Sequence, residues 1–410
     1  MNVVFLQEGY DPSPDANSIC VKALVEEYKA RGEKVYVVCD GRKGSEDRFS
    51  DDRSILHVPV EKQKYFSRAS LLKKIPILLS RVASIPIWPI RFPKKVKGYV
   101  NLTEKLLRQL GTEDTVVISV YRPAEMVEAG YRLKKKFPQL KWVVYNLDGI
   151  ETNVMMKNTQ WFQNKERRWQ FSRYSRADIV AQMETHRKAY LSSEFAALQE
   201  KTLFLDFPLV IENNAAVPVK REAGSPDQLL YAGSFYRGLR EPFYMIEWFR
   251  ALFQTQNLQY DIYTRHDFVQ EIVAAGEQLE GRIQRHDYVS TEEMDVLVQN
   301  ADYLVSVGNA GSRMVPSKIF VYLSTGKPII HFVSDDDDSC LPYLNTYPEA
   351  LIIDERLDVQ QMAQKAQAFF DRHHMHAEKK MEFTQIREIY YKNTPVYTVD
   401  MLNQKLGEIG

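Results

Sequence analysis

The sequence predicts an α/β protein of two doubly wound domains, each a parallel sheet covered by helices. Three observations lead there. Short apolar runs alternate with amphipathic segments through residues 3–205 and again from residue 229 onward. A polar stretch at 212–227, with prolines and a glycine, separates the two series. A length of 410 residues suits two domains.

In the first series, strands are expected at 3–6, 35–39, 116–120 and 142–145. Helices are expected at 16–30, with Ile19, Leu24 and Tyr28 among polar residues, and at 124–136. The segment 159–176 reads as a helix rich in aromatic and basic residues, and strands at 178–181 and 202–205 close the series. The second series places strands at 229–232, 259–263, 282–285, 303–307, 329–332 and 351–353. Helices near 241–253, 268–279, 291–299 and 316–324 lie between them, and the last thirty residues look helical. Open parallel sheets bind ligands beyond the carboxyl ends of their strands, so the loops there are the places to look for chemistry.

Composition bounds the possibilities. Apolar residues make up 44% and charged residues 26%, as in ordinary globular chains. A net charge of zero gives no overall pull toward nucleic acid, and no nucleic-acid partner is expected. The three cysteines lack CxxC spacing and read as reduced thiols of a cytosolic protein. The N-terminus lacks the basic region of a signal peptide, and no apolar run is long enough to span a bilayer. The expected location is cytoplasmic, with peripheral contact on the inner face of the plasma membrane as an open option. That option rests on residues 62–103, which hold ten Lys or Arg and no acid, interleaved with aromatic and aliphatic side chains. Such a segment suits an anionic membrane surface, and equally a helical excursion packed on the first domain with solvated lysines.

The densest signal is the run ADYLVSVGNAGSRMVPSKIFVYLSTGKPII. A buried strand leads into the loop Gly308-Asn309-Ala310-Gly311-Ser312. Pro316 is expected to open a helix, with Ser317 and Lys318 in its first turn, where unpaired N–H groups and the helix dipole attract anions. Gly326 ends the helix, and Lys327-Pro328 leads into the next strand. Together these make a phosphate seat.

This run resembles the donor-binding segment of the GT-B glycosyltransferases, above all the retaining family-four enzymes of bacterial cell-surface polysaccharide assembly. Leu229-Leu230-Tyr231-Ala232-Gly233-Ser234-Phe235-Tyr236, Asp287-Tyr288-Val289-Ser290 and Ala301-Asp302 fall in the same family order. The resemblance implies two Rossmann-like domains facing across a cleft, with a C-terminal helix crossing back to the first. The implied organisation is an acceptor-side domain at 1–211, a linker at 212–227, a donor domain at 228–385 and the returning helix at 386–410. It also implies a nucleoside-diphosphate sugar as substrate, no cofactor and no metal. One departure stands out. Retaining members carry two glutamates eight positions apart, which fall here on Arg313 and Val321. Valine cannot accept a hydrogen bond from a ribose hydroxyl, so donor binding here is rearranged, weakened or lost.

Without a metal, cations and N–H groups must stabilise the charge building on a leaving diphosphate. The candidates are Lys318 and Arg240 as catalytic cations, with Gly233, Ser234, Arg237, Asn309, Arg313 and Ser317 as donor-binding residues. Each arginine is equally suited to a surface ion pair, and Ser234 and Asn309 to turn capping. On the acceptor side stand Tyr10, Tyr121 and Arg122, with Asp148 as a carboxylate able to orient or deprotonate a sugar hydroxyl, or simply to cap a turn. The four consecutive aspartates at 335–338 read as a solvated loop or, less simply, a cation site. The function expected is transfer of a sugar to a hydroxyl of a polysaccharide or lipid-linked glycan. The alternative is a catalytically silent GT-B protein serving as partner or chaperone of an active transferase. An epimerase on the same fold needs more acids and histidines than the loops offer.

Overall fold

The computed structural model describes residues 1–10, 16–42, 52–60, 85–147, 160–212, 224–265, 267–311, 315–375 and 380–409. Asp148, Arg313, and residues 62–84 of the basic segment lie outside the described residues.

The chain divides into two compact units. The first comprises Met1–Leu209 with Lys392–Gly410, and the second is Val210–Tyr391. In the first, seven parallel strands form a sheet: β1 (Asn2–Leu6), β2 (Lys34–Arg42), β3 (Ile55–Val60), β4 (Thr115–Tyr121), β5 (Lys141–Asn146), β6 (Ile179–Met183) and β7 (Thr202–Leu205). Their order is β3-β2-β1-β4-β5-β6-β7, so the direction of winding switches between β1 and β4. The central strands are fully buried, as continuous apolar runs such as Val116-Val117-Ile118 require when helices cover both faces.

The helix Ala124–Lys136 has the bounds its pattern implies. It approaches the sheet closely at Gly130, where a Cβ would lie 2.2 Å from Ser119 Oγ. The helix Ala16–Ala30 buries Leu24 and Tyr28 but leaves Ile19 44% exposed. Against it lies the terminal helix Pro395–Gly407, where Arg31 pairs with Asp400 at 2.6 Å and the Tyr28 hydroxyl donates to Asn403 at 3.5 Å. The chain end is thus part of the first unit.

The second unit holds six parallel strands: β8 (Asp227–Ala232), β9 (Leu258–Tyr263), β10 (Ile283–His286), β11 (Tyr303–Val307), β12 (Ile329–Val333) and β13 (Ala350–Asp354). The order is β10-β9-β8-β11-β12-β13, with the switch between β8 and β11. Its core joins Trp248 and Phe249 of one covering helix to Phe369 and Phe370 of another, Val359–Met375, whose pattern the sequence reading passed over.

The basic segment divides. Its described end is the helix Pro93–Leu110, which buries Val96, Tyr99, Leu106 and Leu107 in the first core. Lys95 is buried too, ion-paired with Glu8 and, at 2.7 Å, with Asp40. Burial pulls its ammonium down, but the two carboxylates outweigh that and hold its pKa raised. This lysine is structural. Lys94 and Lys97 stay exposed, as do Ile87 and Phe92. No described helix is long and apolar enough to cross a membrane.

Candidate functional site

In the second unit the loops after β8, β10 and β11 share the carboxyl edge of the sheet, on both sides of its switch point. The helix in the fingerprint begins at Lys318, not at Pro316, and runs only to Ser324. Pro316 and Ser317 form the tight turn before it, where the Ile319 and Phe320 amides donate to Pro316 O and Ser317 O at 3.0 and 3.2 Å. Ser317 makes no side-chain cap.

One turn apart on the same face, Lys318 and Tyr322 clasp the last residue of β8. Lys318 Nζ donates to Ala232 O at 2.7 Å, and the Ala232 amide donates to Tyr322 Oη at 3.3 Å. Lys318 is exposed as a residue, while its ammonium bonds the Ala232 carbonyl. Burial of that group, then the charge of Arg240, lowers its pKa to about 8.

Arg240 reaches this place through a hairpin-like turn. Tyr236 and Arg240 exchange backbone hydrogen bonds at 2.8 and 2.9 Å, around Gly238 at φ 72°. Arg240 points inward: Nη2 donates to Asn309 Oδ1 at 2.7 Å and Nη1 to Ser234 O at 3.4 Å. Arg237 points elsewhere. It is exposed, lies 3.7 Å from Glu271 and stacks on Phe268 at 4.7 Å, the ion-pair alternative for this residue. Gly233 packs against the Tyr231 ring, and Ser234 Oγ shares a hydrogen bond with Tyr288 Oη. Arg265 lies 4.2 Å over that Tyr288 ring. Among the described residues, neither Lys318 nor Arg240 has a carboxylate partner. Lys327 is a different case: it is buried and ties off the backbone carbonyls of Val298, Gln299 and Ala301. Val321 is half-buried and offers an aliphatic surface.

The first unit has its own pocket at its switch point. A cavity of about 200 Å³ is lined by Glu8 after β1, Tyr121 at the end of β4 and Arg122 just after it, and Trp88, Arg91 and Glu166. The Tyr121 hydroxyl donates to Glu166 Oε1, and Arg122 Nη2 meets the same oxygen at 3.1 Å. Glu125 Oε1 accepts the Arg91 and Phe92 amides at 2.7 and 2.9 Å, and Lys165 Nζ donates to Ile85 O at 2.6 Å. These bonds pin the 85–92 segment as a wall, with Trp88 edge-on to Phe162 at 5.0 Å. Tyr10 is buried, with Lys22 5.5 Å above its ring.

Glu166, Trp88 and Glu8 line the first-unit pocket and were not singled out as site residues in the sequence, while Tyr288 stood there only as part of the run Asp287-Tyr288-Val289-Ser290. Glu166 sits within a helix whose charge is otherwise mostly basic, so no local pattern marks it. The aspartate run divides as well: Asp335 accepts the Gly311 amide at 3.0 Å, Asp336 pairs with Arg356 at 2.6 Å, and Asp338 is buried.

No protein-family model matches the sequence, and neither does any curated protein sequence. Solved structures do. TarM aligns at TM-score 0.63 and 11% identity, covering 100% of this chain and 98% of that one. The α,α-trehalose-6-phosphate synthase of Burkholderia multivorans aligns at 0.59 and 11%, covering 99% and 98%. The lipopolysaccharide outer core galactosyltransferase WaaB aligns at 0.57 and 12%, covering 100% and 99%. At such identities the likeness is one of architecture, and with its two parallel sheets and returning terminal helix this chain has the GT-B fold of the bacterial glycosyltransferases.

Proposed function

We propose that the protein is a glycosyltransferase that moves a sugar from a nucleoside-diphosphate sugar to a hydroxyl of a glycan or lipid-linked acceptor. The observation that carries this is the pair Lys318 and Arg240. Two cations share one loop cluster, and burial and mutual repulsion depress the lysine. Two uncompensated cations in one place are costly, and a dianionic diphosphate removes the cost. Ser234 and Asn309 sit beside them, able to donate to phosphate or sugar oxygens, while the Gly233 amide is bonded to Tyr263 O at 3.1 Å and this glycine contributes only close backbone approach. Arg313 and Ser317 flank the same loop in sequence, and Arg237 is reserved for an outer contact. The cations take up the charge of the leaving group, so this chemistry asks for no metal or cofactor.

The first-unit pocket is assigned to the acceptor. Aromatic rings and carboxylates suit a sugar, which presents apolar faces and hydroxyl rims. Arg122 and Tyr121 hold Glu166 in place, Tyr10 is assigned to the same acceptor side, and Asp148 is the candidate base. Exposed Ile87, Phe92, Lys94 and Lys97 suit peripheral contact with anionic lipid, and with it a lipid-linked acceptor at a cytoplasmic membrane face. The retaining outcome follows from the family resemblance alone.

Val321 favours a second reading, a silent partner of an active transferase that has lost donor binding. Thermal melting against a panel of nucleoside diphosphates separates the two. A rise with at least one supports the transferase, because a ligand of the native state stabilises it. No shift with any, at millimolar concentration, leaves the silent partner. Flotation on vesicles with and without anionic lipid tests the membrane contact, and equal flotation after charge reversal at Lys94 and Lys97 removes it.

A further inference from the structure

His331, Asp338 and Cys340 come together beneath the loops that follow β11 and β12. All three are buried, at 0%, 5% and 0% exposure. Their ligand-capable atoms, a ring nitrogen, a carboxylate oxygen and the thiol sulfur, all lie within 4.8 Å of one another. His331 Nε2 and Asp338 Oδ2 are 3.4 Å apart, and neither ring nitrogen of His331 makes a hydrogen bond. Buried polar atoms are rarely left so, because they forfeit water without replacement. Gly308 leaves the room: a Cβ there would lie 1.8 Å from Asp338 Oδ2. The Cys340 amide donates to the other oxygen, Oδ1, at 2.7 Å and fixes the carboxylate toward the histidine.

The geometry points to a buried structural site for a zinc-like divalent cation, held by His331 Nε2, Asp338 Oδ2 and Cys340 Sγ. Two ligands each about 2.0–2.1 Å from a tetrahedral zinc stand about 3.3 Å apart, which matches the His331–Asp338 separation. The imidazole, thiolate and carboxylate set suits zinc or cobalt and disfavours magnesium or calcium, which take oxygen ligands. Three protein ligands leave one position for a small ligand such as water. On binding, the Cys340 thiol loses its proton to solvent as the sulfur–metal bond forms, so one proton is released per metal from that group. The site ties the loop after β12 to β12 itself, next to the Gly308 backbone, and so stiffens the loop that carries Asn309. It takes no part in the assignment of Lys318 and Arg240 and stands independently of the proposed transfer reaction.

The test uses the full chain, purified from cells grown with zinc or with cobalt, and also refolded with each metal because the site is enclosed. The expected result is one metal per chain that survives dialysis, and for cobalt a thiolate-to-metal absorption band in the near ultraviolet with intense visible bands. Removal by a strong chelator should lower the melting temperature, and zinc but not magnesium should restore it. Cys340→Ser should abolish the near-ultraviolet band and weaken binding by more than the roughly 10- to 100-fold of a second-sphere change. If that variant does not fold, Asp338→Asn should lower the metal content instead. Metal content well below one per chain in both the purified and refolded protein overturns the site, as does a cobalt–thiolate band that persists in Cys340→Ser.

Discussion

Replacing Lys318 with methionine keeps the stem and removes the charge. In the free protein, one ammonium donor goes to Ala232 O, and an ammonium has three donors, so phosphate contact needs no rearrangement of that clasp. A hydrogen bond to a charged group contributes about 1.5–3 kcal/mol, so the affinity for a nucleoside diphosphate should fall roughly 10- to 150-fold. The pH dependence gives a sharper signature. Burial and Arg240 set the free lysine near pH 8, and a bound diphosphate raises it. Binding then takes up a proton above pH 8. Affinity should be flat from pH 6.5 to 7.5 and fall toward pH 9.5, by up to about tenfold per pH unit. Arginine at the same position stays charged, so Lys318→Arg should flatten that decline even if it binds less well. Isothermal calorimetry in two buffers of different ionisation heat reads both affinity and proton uptake. An affinity unchanged within twofold in Lys318→Met, or a pH profile shared by the wild type and Lys318→Arg, would refute the role given to this residue.

Other outcomes follow from the same structure. Burial, then Asp354, raises the Glu355 carboxyl to about 7, and Glu355 Oε1 has no hydrogen-bond partner. A raised carboxyl contributes stability that is complete below the unfolded pKa near 4.5 and is lost as pH rises through about 7. Glu355→Gln should therefore stabilise the protein at pH 8 by about 1–3 kcal/mol and by little at pH 4.5, measured by urea unfolding at both values. Gly130→Ala forces a Cβ to 2.2 Å from Trp142 Nε1, and should cost about 1–3 kcal/mol, seen as a lower melting temperature. Glu166→Gln removes the carboxylate that Arg122 meets at 3.1 Å and should cost about 1–3 kcal/mol while weakening acceptor use more than nucleotide binding, read by melting and by steady-state kinetics. Equal loss of both would take the pocket out of the acceptor role.

Much of the fold was legible in the sequence because its signals are local. Thr202–Leu205, Tyr303–Val307, Ala16–Ala30 and Ala124–Lys136 have the bounds their patterns imply: the buried strand Tyr303–Val307 is a mostly apolar run, the half-buried edge strand Thr202–Leu205 is a shorter one, and a covering helix repeats near 3.6 residues. The turn and helix around Pro316-Ser317-Lys318 were readable in part: a short helix follows the turn, but it begins at Lys318 and not at Pro316.

What only the tertiary structure decided is which charged groups end beside which. Arg237 and Arg240 look alike in the chain, yet the turn at Gly238 sends one to Glu271 and the other to Asn309. Lys318 and Lys327 share one fingerprint, yet one bonds the carbonyl at the end of β8 while the other ties off a helix end. Lys95 lies in a basic run and is buried between two acids, and Glu166 reaches Arg122 across forty-four positions of sequence. Burial and charge pairing depend on neighbours brought in from distant strands, and a one-dimensional pattern carries the periodicity of an element but not the identity of what packs against it.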